Sequence, residues 1–187
     1  MPYLTEEELH QLSFKSLGGN VKISRDARIY EPNKMSIGSN VRIDDFCVIS
    51  GRVEIGSYSH ITPMCLIAGG EPGVFLDKYV TLAYGVKIFS QSDDYSGETM
   101  TNSLLPKKYK NEYFDPVYIR THTILGANTV VMPGVDIGEG VAVGASSLVI
   151  DSLMPWGIYV GAPARLLKER SKNLLGLAIK HKEEVGL

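Results

Sequence analysis

Four histidines are the side chains in this chain best suited to moving a proton near neutral pH. Two lie in the body of the sequence, His60 in SYSHITPMC and His122 in RTHTILGAN. His60 sits among small and apolar residues and directly precedes Ile61, a member of a regular apolar series. Its side chain is therefore expected to face outward, where it could act as a general base toward an attacking hydroxyl or amine. His122 reads as a histidine at a turn. His10 and His181 fall in segments of helical spacing and read as surface histidines. Cys47 and Cys65 sit in apolar stretches and read as buried small hydrophobes in a reducing compartment. A zinc site asks for about three protein ligands. The two body histidines are far apart and no histidine pair is closely spaced, so no metal is expected.

What must position these groups is a period of six. Starting from Ile37, every sixth residue is isoleucine: Ile37, Ile43, Ile49, Ile55, Ile61 and Ile67. The register shifts and resumes at Leu76, Leu82 and Ile88. After a long interruption it restarts at Ile119, Leu125, Val131, Ile137, Val143 and Val149. Weaker copies at Ile23 and Ile29 begin it earlier. Four residues after most of these aliphatics comes a small or β-branched residue, such as Val41, Cys47, Ser59, Thr123 or Ser147, with Ser92 at the matching place after Ile88. Glycine often follows the aliphatic directly, as at Gly38, Gly56, Gly126, Gly138 and Gly144. A helix repeats every 3.6 residues and an ordinary strand every 2. Six suits one short strand per repeat, a turn, and a triangular coil that closes every three repeats. The aliphatic points into the prism, the small residue fits the corner, and glycine permits turn dihedrals closed to other residues. Stacked coils then pair their backbones in parallel and hold like side chains in columns.

The ends and interruptions differ in character. Thr5 and Glu8 have capping-box spacing, and Leu4 with Leu9 have that of a hydrophobic staple. Residues 164–186 mix Leu and Ile with Lys and Glu at helical spacing and read as a cap, because open strand edges recruit other chains. The expected organisation is an N-terminal helical segment at 1–19, a β-helix at 20–163 and a C-terminal helix at 164–187. Insertions are expected near 68–75 and 94–116. The second is polar and aperiodic with three tyrosines, and loops of this length are usually functional or disordered. Its tyrosines and Phe114 argue for packing against a substrate or a neighbouring subunit. The net charge of −2 implies no basic face, so nucleic acid is not an expected partner. The start, MPYLTEEELHQL, lacks the basic and apolar regions of a signal peptide. No apolar run is long enough to span a bilayer. No membrane insertion and a cytoplasmic location are expected.

Over residues 20–168 the repeat resembles that of the left-handed β-helix acyltransferases, the hexapeptide-transferase superfamily. The resemblance implies an all-β fold, a left-handed parallel β-helix with short N- and C-terminal helices. It implies an acetyl-CoA donor and a sugar or nucleotide-linked sugar acceptor, O- or N-acetylated in surface polysaccharide biosynthesis. It also implies a homotrimer with active sites at subunit interfaces. In galactoside O-acetyltransferase-like members a catalytic histidine precedes the last block of repeats; the matching stretch here, IFSQSDDYSGE, carries Asp93 instead. QSDDY resembles sugar acetyltransferases of surface-polysaccharide pathways, including N-acetyltransferases of nucleotide-linked aminosugars. A neutral amine is already nucleophilic and needs a weaker base than a hydroxyl does. Asp93 or Asp94 could orient it and take its proton, with Gln91, Ser92 and Tyr95 binding the acceptor. For the cofactor, the resemblance lays Ala127, Gly144 and Ala145 along the pantetheine and sets Arg165 and Lys168 against the CoA phosphates. The stretch WGIYVGAP at 156–163 resembles the family's end-of-coil segment. Two positions depart from the pattern: Ile150-Asp151 replaces a Thr-Lys pair, and Ile124 replaces a tryptophan.

Two other readings use the same fold, a γ-class carbonic-anhydrase-like metalloenzyme and a non-catalytic β-helix assembly protein. Zinc in the purified protein would mark the first. Absence of both zinc and CoA binding would mark the second.

Overall fold

The computed structural model describes residues 3–185. Three parallel faces wind around one core. The first face stacks Ser16–Leu17, Met35–Ile37, Val53–Ile55, Val74–Leu76, Val117–Ile119 and Asp136–Ile137. The second stacks Lys22–Ile23, Arg42–Ile43, His60–Ile61, Thr81–Leu82, Ile124–Leu125, Ala142–Val143 and Gly157–Val160. The third stacks Arg28–Tyr30, Val48–Ser50, Leu66–Ala68, Lys87–Phe89, Val130–Val131 and Leu148–Val149. Each strand contributes an inward aliphatic except Gly157–Val160, whose inward side chain is Tyr159, and all fifteen residues of the three periodic blocks are buried, at 4% exposure or less. The coils pair in register: Ile43 lies beside Ile61, and Ile61 beside Leu82. Equivalent side chains therefore form columns along the prism.

The corners explain the glycines and the small residues. A Cβ on Gly56 would lie 2.4 Å from the backbone carbon of Asp77 in the next coil, so that turn admits no side chain. At the corner between the first and second faces the next column turns through the left-handed region. Asn40, Tyr58, Tyr79 and His122 have φ of 58°, 62°, 60° and 62°. Cys47 and Cys65 are buried corner residues.

Ser92 breaks the pattern that its spacing predicts. Ser90 completes the third face, its hydroxyl donating to the carbonyls of Ala68 (3.1 Å) and Gly69 (2.5 Å). The chain then leaves the coil. Gln91–Ser92 pairs antiparallel with Tyr113–Phe114, making the root of an arm that projects from the corner between the third and first faces. The coil resumes at Val117, in register with Val74.

Both ends are covered. Helix α1 (Glu6–Gln11) starts with a complete capping box: Glu8 N donates to Thr5 Oγ1 (3.2 Å) and Thr5 N to Glu8 Oε2 (2.8 Å). Leu9 is buried in the core, and Leu4 and Phe14 pack against it. At the other end Arg165–Glu169 is a strand, antiparallel to Gly157–Val160, because the last coil leaves an edge that needs backbone partners. Helix α2 (Leu174–Val185) comes next along the chain. Arg170 ties the strand–helix junction to the coil, its Nη1 donating to the carbonyls of His122 (2.9 Å), Gly140 (3.0 Å) and Val141 (3.2 Å).

Ile61→Ala empties a fully buried position and is expected to lower unfolding free energy by about 2–5 kcal/mol. Lys22→Ala, on the outward side of the same face, should change it by no more than about 0.5 kcal/mol. Urea denaturation compares the two; equal effects would mean that the sixth-residue aliphatics do not form the core.

Candidate functional site

The candidate residues fall into three groups, each placed by the coil. The first surrounds His60. Its ring faces outward on the second face and is partly exposed, in register between Arg42 and Thr81. Nε2 lies 2.8 Å from Asp44 Oδ2. The other Asp44 oxygen accepts from Arg42 Nε (2.7 Å) and the Tyr3 hydroxyl (3.2 Å). The Asp44 side chain is 3% exposed. Burial alone would raise its carboxyl, but hydrogen bonds from Arg42 and His60 outweigh that and hold it below the ordinary value.

The second group is the arm. Gln91 lies over Gly70, whose Cβ would come within 2.8 Å of Gln91 Oε1. The Ser92 hydroxyl donates to the Asp93 carbonyl (3.1 Å). The two carboxylates differ sharply. Asp94 accepts from Ser96 N (2.8 Å) and the Thr99 hydroxyl (2.7 Å), and Thr99 Oγ1 accepts in turn from Asn111 N (3.2 Å), so Asp94 ties the two legs of the arm together. Hydrogen bonds, first from Ser96 and then from Thr99, lower its carboxyl to about 2. Asp93 and Tyr95 are exposed, Tyr95 at 90%. On a three-faced prism, the corner between the third and first faces lies opposite the second face. One chain therefore does not bring the Asp93–Asp94 pair to His60.

The third group gathers at the corner between the second and third faces, in the last coils. Ser146 N donates to the Ala127 carbonyl (2.7 Å), and a Cβ on Gly126 would lie 2.5 Å from Ala145 N. A Cβ on Gly144 would lie 2.8 Å from Val160, which pairs with Arg165. Ala127, Gly144, Ala145 and Arg165 thus line one small-residue corner that ends in a cation. Arg165 Nη1 is 3.3 Å from Asp151 Oδ2, both well exposed. Lys168 is exposed one step further along, opposite Ile158.

His122 is not a simple exposed turn histidine. It closes a stack in the left-handed corner column: Tyr58 on Tyr79 (5.1 Å, 13°) and Tyr79 on His122 (5.1 Å, 16°). His181 of α2 meets Tyr58 edge-on at 5.0 Å. Burial pushes the His122 ring below its ordinary value. Among the described residues no group of three or more His, Cys, Asp or Glu is placed to hold a metal ion. Among them, too, no helix is long and apolar enough to cross a membrane.

Residues 34–69 match the bacterial transferase hexapeptide (six repeats) family. The chain is 42% identical over 180 residues to a dTDP-4-amino-4,6-dideoxy-D-glucose acyltransferase of Escherichia coli, a match covering 95% of this chain and 93% of that protein. The chain belongs to the hexapeptide-repeat acyltransferases. Among solved structures it superposes with a TM-score of 0.97 on AntD, an N-acyltransferase from Bacillus cereus in complex with dTDP and 3-hydroxybutyryl-CoA. That pair shares 42% identity, covering 99% of this chain and 98% of AntD. A serine variant of AntD in complex with dTDP-4-amino-4,6-dideoxyglucose and coenzyme A superposes with a TM-score of 0.96 at 43% identity, covering 97% and 98% of the two chains. The coil of this acyltransferase is a left-handed parallel β-helix, and its donor is an acyl-CoA.

Sequence reasoning missed Asp44, Arg42 and the aromatic stack. The signal for the first two was present. Arg42 and Asp44 flank inward Ile43, and His60 lies one coil on in the same register.

The Asp94 carboxyl is lowered from an ordinary 3.8 to about 2, so its hold on the arm is complete above the unfolded value and lost as pH falls through the folded one. The Ser96 amide signal should stay unchanged on acidification from neutral to 3.8 and move only as pH approaches 2. Movement already under way above 3.8 would contradict the Asp94 anchor.

Proposed function

We propose that this enzyme transfers an acyl group from acyl-CoA to the 4-amine of a dTDP-linked 4-amino-4,6-dideoxy sugar, in the cytoplasm, for surface polysaccharide assembly. The match that carries this reading spans 99% of the chain, arm and tail included, and the relative so matched was crystallised with both a thymidine diphosphate and an acyl-CoA. Asp93, in the arm where a catalytic histidine is expected by resemblance, fits an amine acceptor. An amine bound as ammonium is held by a carboxylate and must lose one proton before it attacks.

The working unit is a homotrimer. A site formed by His60 of one subunit and the arm of its neighbour resolves their placement on opposite sides of one prism. His60 takes the ammonium proton, and Asp93 orients the amine with Gln91, Ser92 and Tyr95 around the sugar. The nitrogen attacks the thioester carbonyl, the N–C bond forms, and the C–S bond breaks. The second nitrogen proton goes to the departing sulfur. Asp94, with both oxygens engaged inside the arm, keeps Asp93 in place. Pantetheine lies along Ala127, Gly144 and Ala145, with Arg165 and Lys168 toward the phosphates. Asp151 beside Arg165 competes with them.

Release of free CoA thiol is the direct assay. With dTDP-4-amino-4,6-dideoxyglucose and either acetyl-CoA or 3-hydroxybutyryl-CoA, thiol release should match amide formation, and the 4-hydroxy counterpart should be inert. Acetylation of free hydroxyl sugars without turnover of the aminosugar would overturn the proposal. Asp93→Asn should lower turnover at least about tenfold and leave CoA binding by calorimetry intact. Sedimentation equilibrium should return three copies; a monomer would rule out the shared site.

A further inference from the structure

We infer that Asp44 is the positioning residue of His60, a buried carboxylate that fixes the tautomer and plane of the ring and leaves Nδ1 as the working nitrogen. The inference rests on the reading of His60 as the base and adds to it a residue outside the arm, the donor corner and the acceptor.

The geometry begins with the strand. Side chains two apart share one side, so Arg42 and Asp44 both face outward around inward Ile43. One coil on, His60 stacks in register with Arg42. Its ring leans toward Asp44, and Nε2 reaches Oδ2 at 2.8 Å. A carboxylate only accepts, so the Nε2 proton lies between the two groups and the lone pair of the neutral ring sits on Nδ1. The Asp44 side chain is 3% exposed against 39% for His60: the carboxylate is shut in and the ring opens to solvent. A structural surface pair has no need of that asymmetry, whereas a base that must meet a substrate does.

Asp44 cannot rotate away. Its second oxygen is held by Arg42 Nε at 2.7 Å and by the Tyr3 hydroxyl at 3.2 Å. Tyr3 is carried by the N-terminal segment, which Leu4 N anchors to the Ile23 carbonyl (2.9 Å). A buried carboxylate without a counter-charge would be costly. Arg42 supplies that charge, so Asp44 stays ionised and keeps the ring aligned to accept a proton. When it accepts one, the imidazolium forms against a fixed anion. Asp44 contacts the ring directly and Arg42 lies beside it in register on the coil below; Tyr3 meets the far oxygen of Asp44, and Asp45 next to it accepts from the Ser24 hydroxyl. The coil above brings Thr81, which does not titrate.

The test joins NMR titration of the His60 ring with the pH profile of kcat/KM. In Asp44→Asn the ring loses its adjacent anion, so its midpoint should fall. The acid limb should move with it, and kcat should drop about tenfold at unchanged KM for acyl-CoA. In Arg42→Gln the anion loses its counter-charge, so both midpoint and limb should shift upward. Two variants of opposite sign keep the test decisive if one folds poorly. In a His60→Ala background, adding Asp44→Asn should cost less than about twofold, since residues acting as a unit are not additive. Lost activity in Asp44→Asn with an unmoved ring titration would overturn the inference and leave Asp44 a purely structural residue. Full turnover in His60→Ala would instead overturn the reading of His60 as base, and the ring titration would still report whether Asp44 governs it.

Discussion

Everything in this molecule depends on in-register parallel pairing of coils around a column of inward aliphatics. Burial of one Ile, Leu or Val per strand drives the winding. The backbone ladder between coils fixes how far each strand can slide. A slip of one residue would turn every aliphatic outward. The register is thus strongly specified, and any outward residue has its neighbours decided by counting along the coil. His60 beside Arg42 and Thr81 is one result. The stack of Tyr58, Tyr79 and His122 is another, built from residues that share one turn position.

Of the candidate groups, the arm and the tail lie where this regularity ends, while His60 sits within it. The arm leaves one corner at Ser90 and returns at Val117. The last coils trade large corner residues for Ala127 and Ala145. The tail turns back as a strand at Arg165. These breaks lie on different sides of the prism, and the face carrying His60 is opposite the arm. Chemistry that uses both asks for a second subunit. The proposed trimer would supply it without any distortion of the coil, since a cyclic arrangement can set one face against a neighbour's corner three times over.

The core was legible in the sequence because its period matches no helix and no ordinary strand. Fifteen aliphatics announced the inward column, and all fifteen are buried. Interactions between coils were harder to see. Asp44 precedes His60 by sixteen residues and touches it, and linear spacing does not signal that. Ser92 has the right spacing for a corner residue yet sits in a hairpin, because the ladder on the third face is complete at Ser90. Leu166 has helical spacing with the apolar residues of α2, yet it pairs with Tyr159 of the last coil, with Leu167 at a bulge beside it, since an unpaired edge outweighs local propensity. The difference between Asp93 and Asp94 was also invisible: both are acidic loop residues, and only the arm's hydrogen bonds assign one of them inward.

Subunit complementation tests the central claim, that the catalytic groups come from two copies of one rigid prism. Subunits carrying His60→Ala and subunits carrying Asp93→Asn, each strongly impaired alone, would be unfolded together at equal amounts and refolded. Random trimers should then recover about a quarter of the wild-type activity, since one subunit pairing in four unites an intact His60 with an intact arm. Recovery no greater than the sum of the two parents would contradict a shared site and place the chemistry within a single chain.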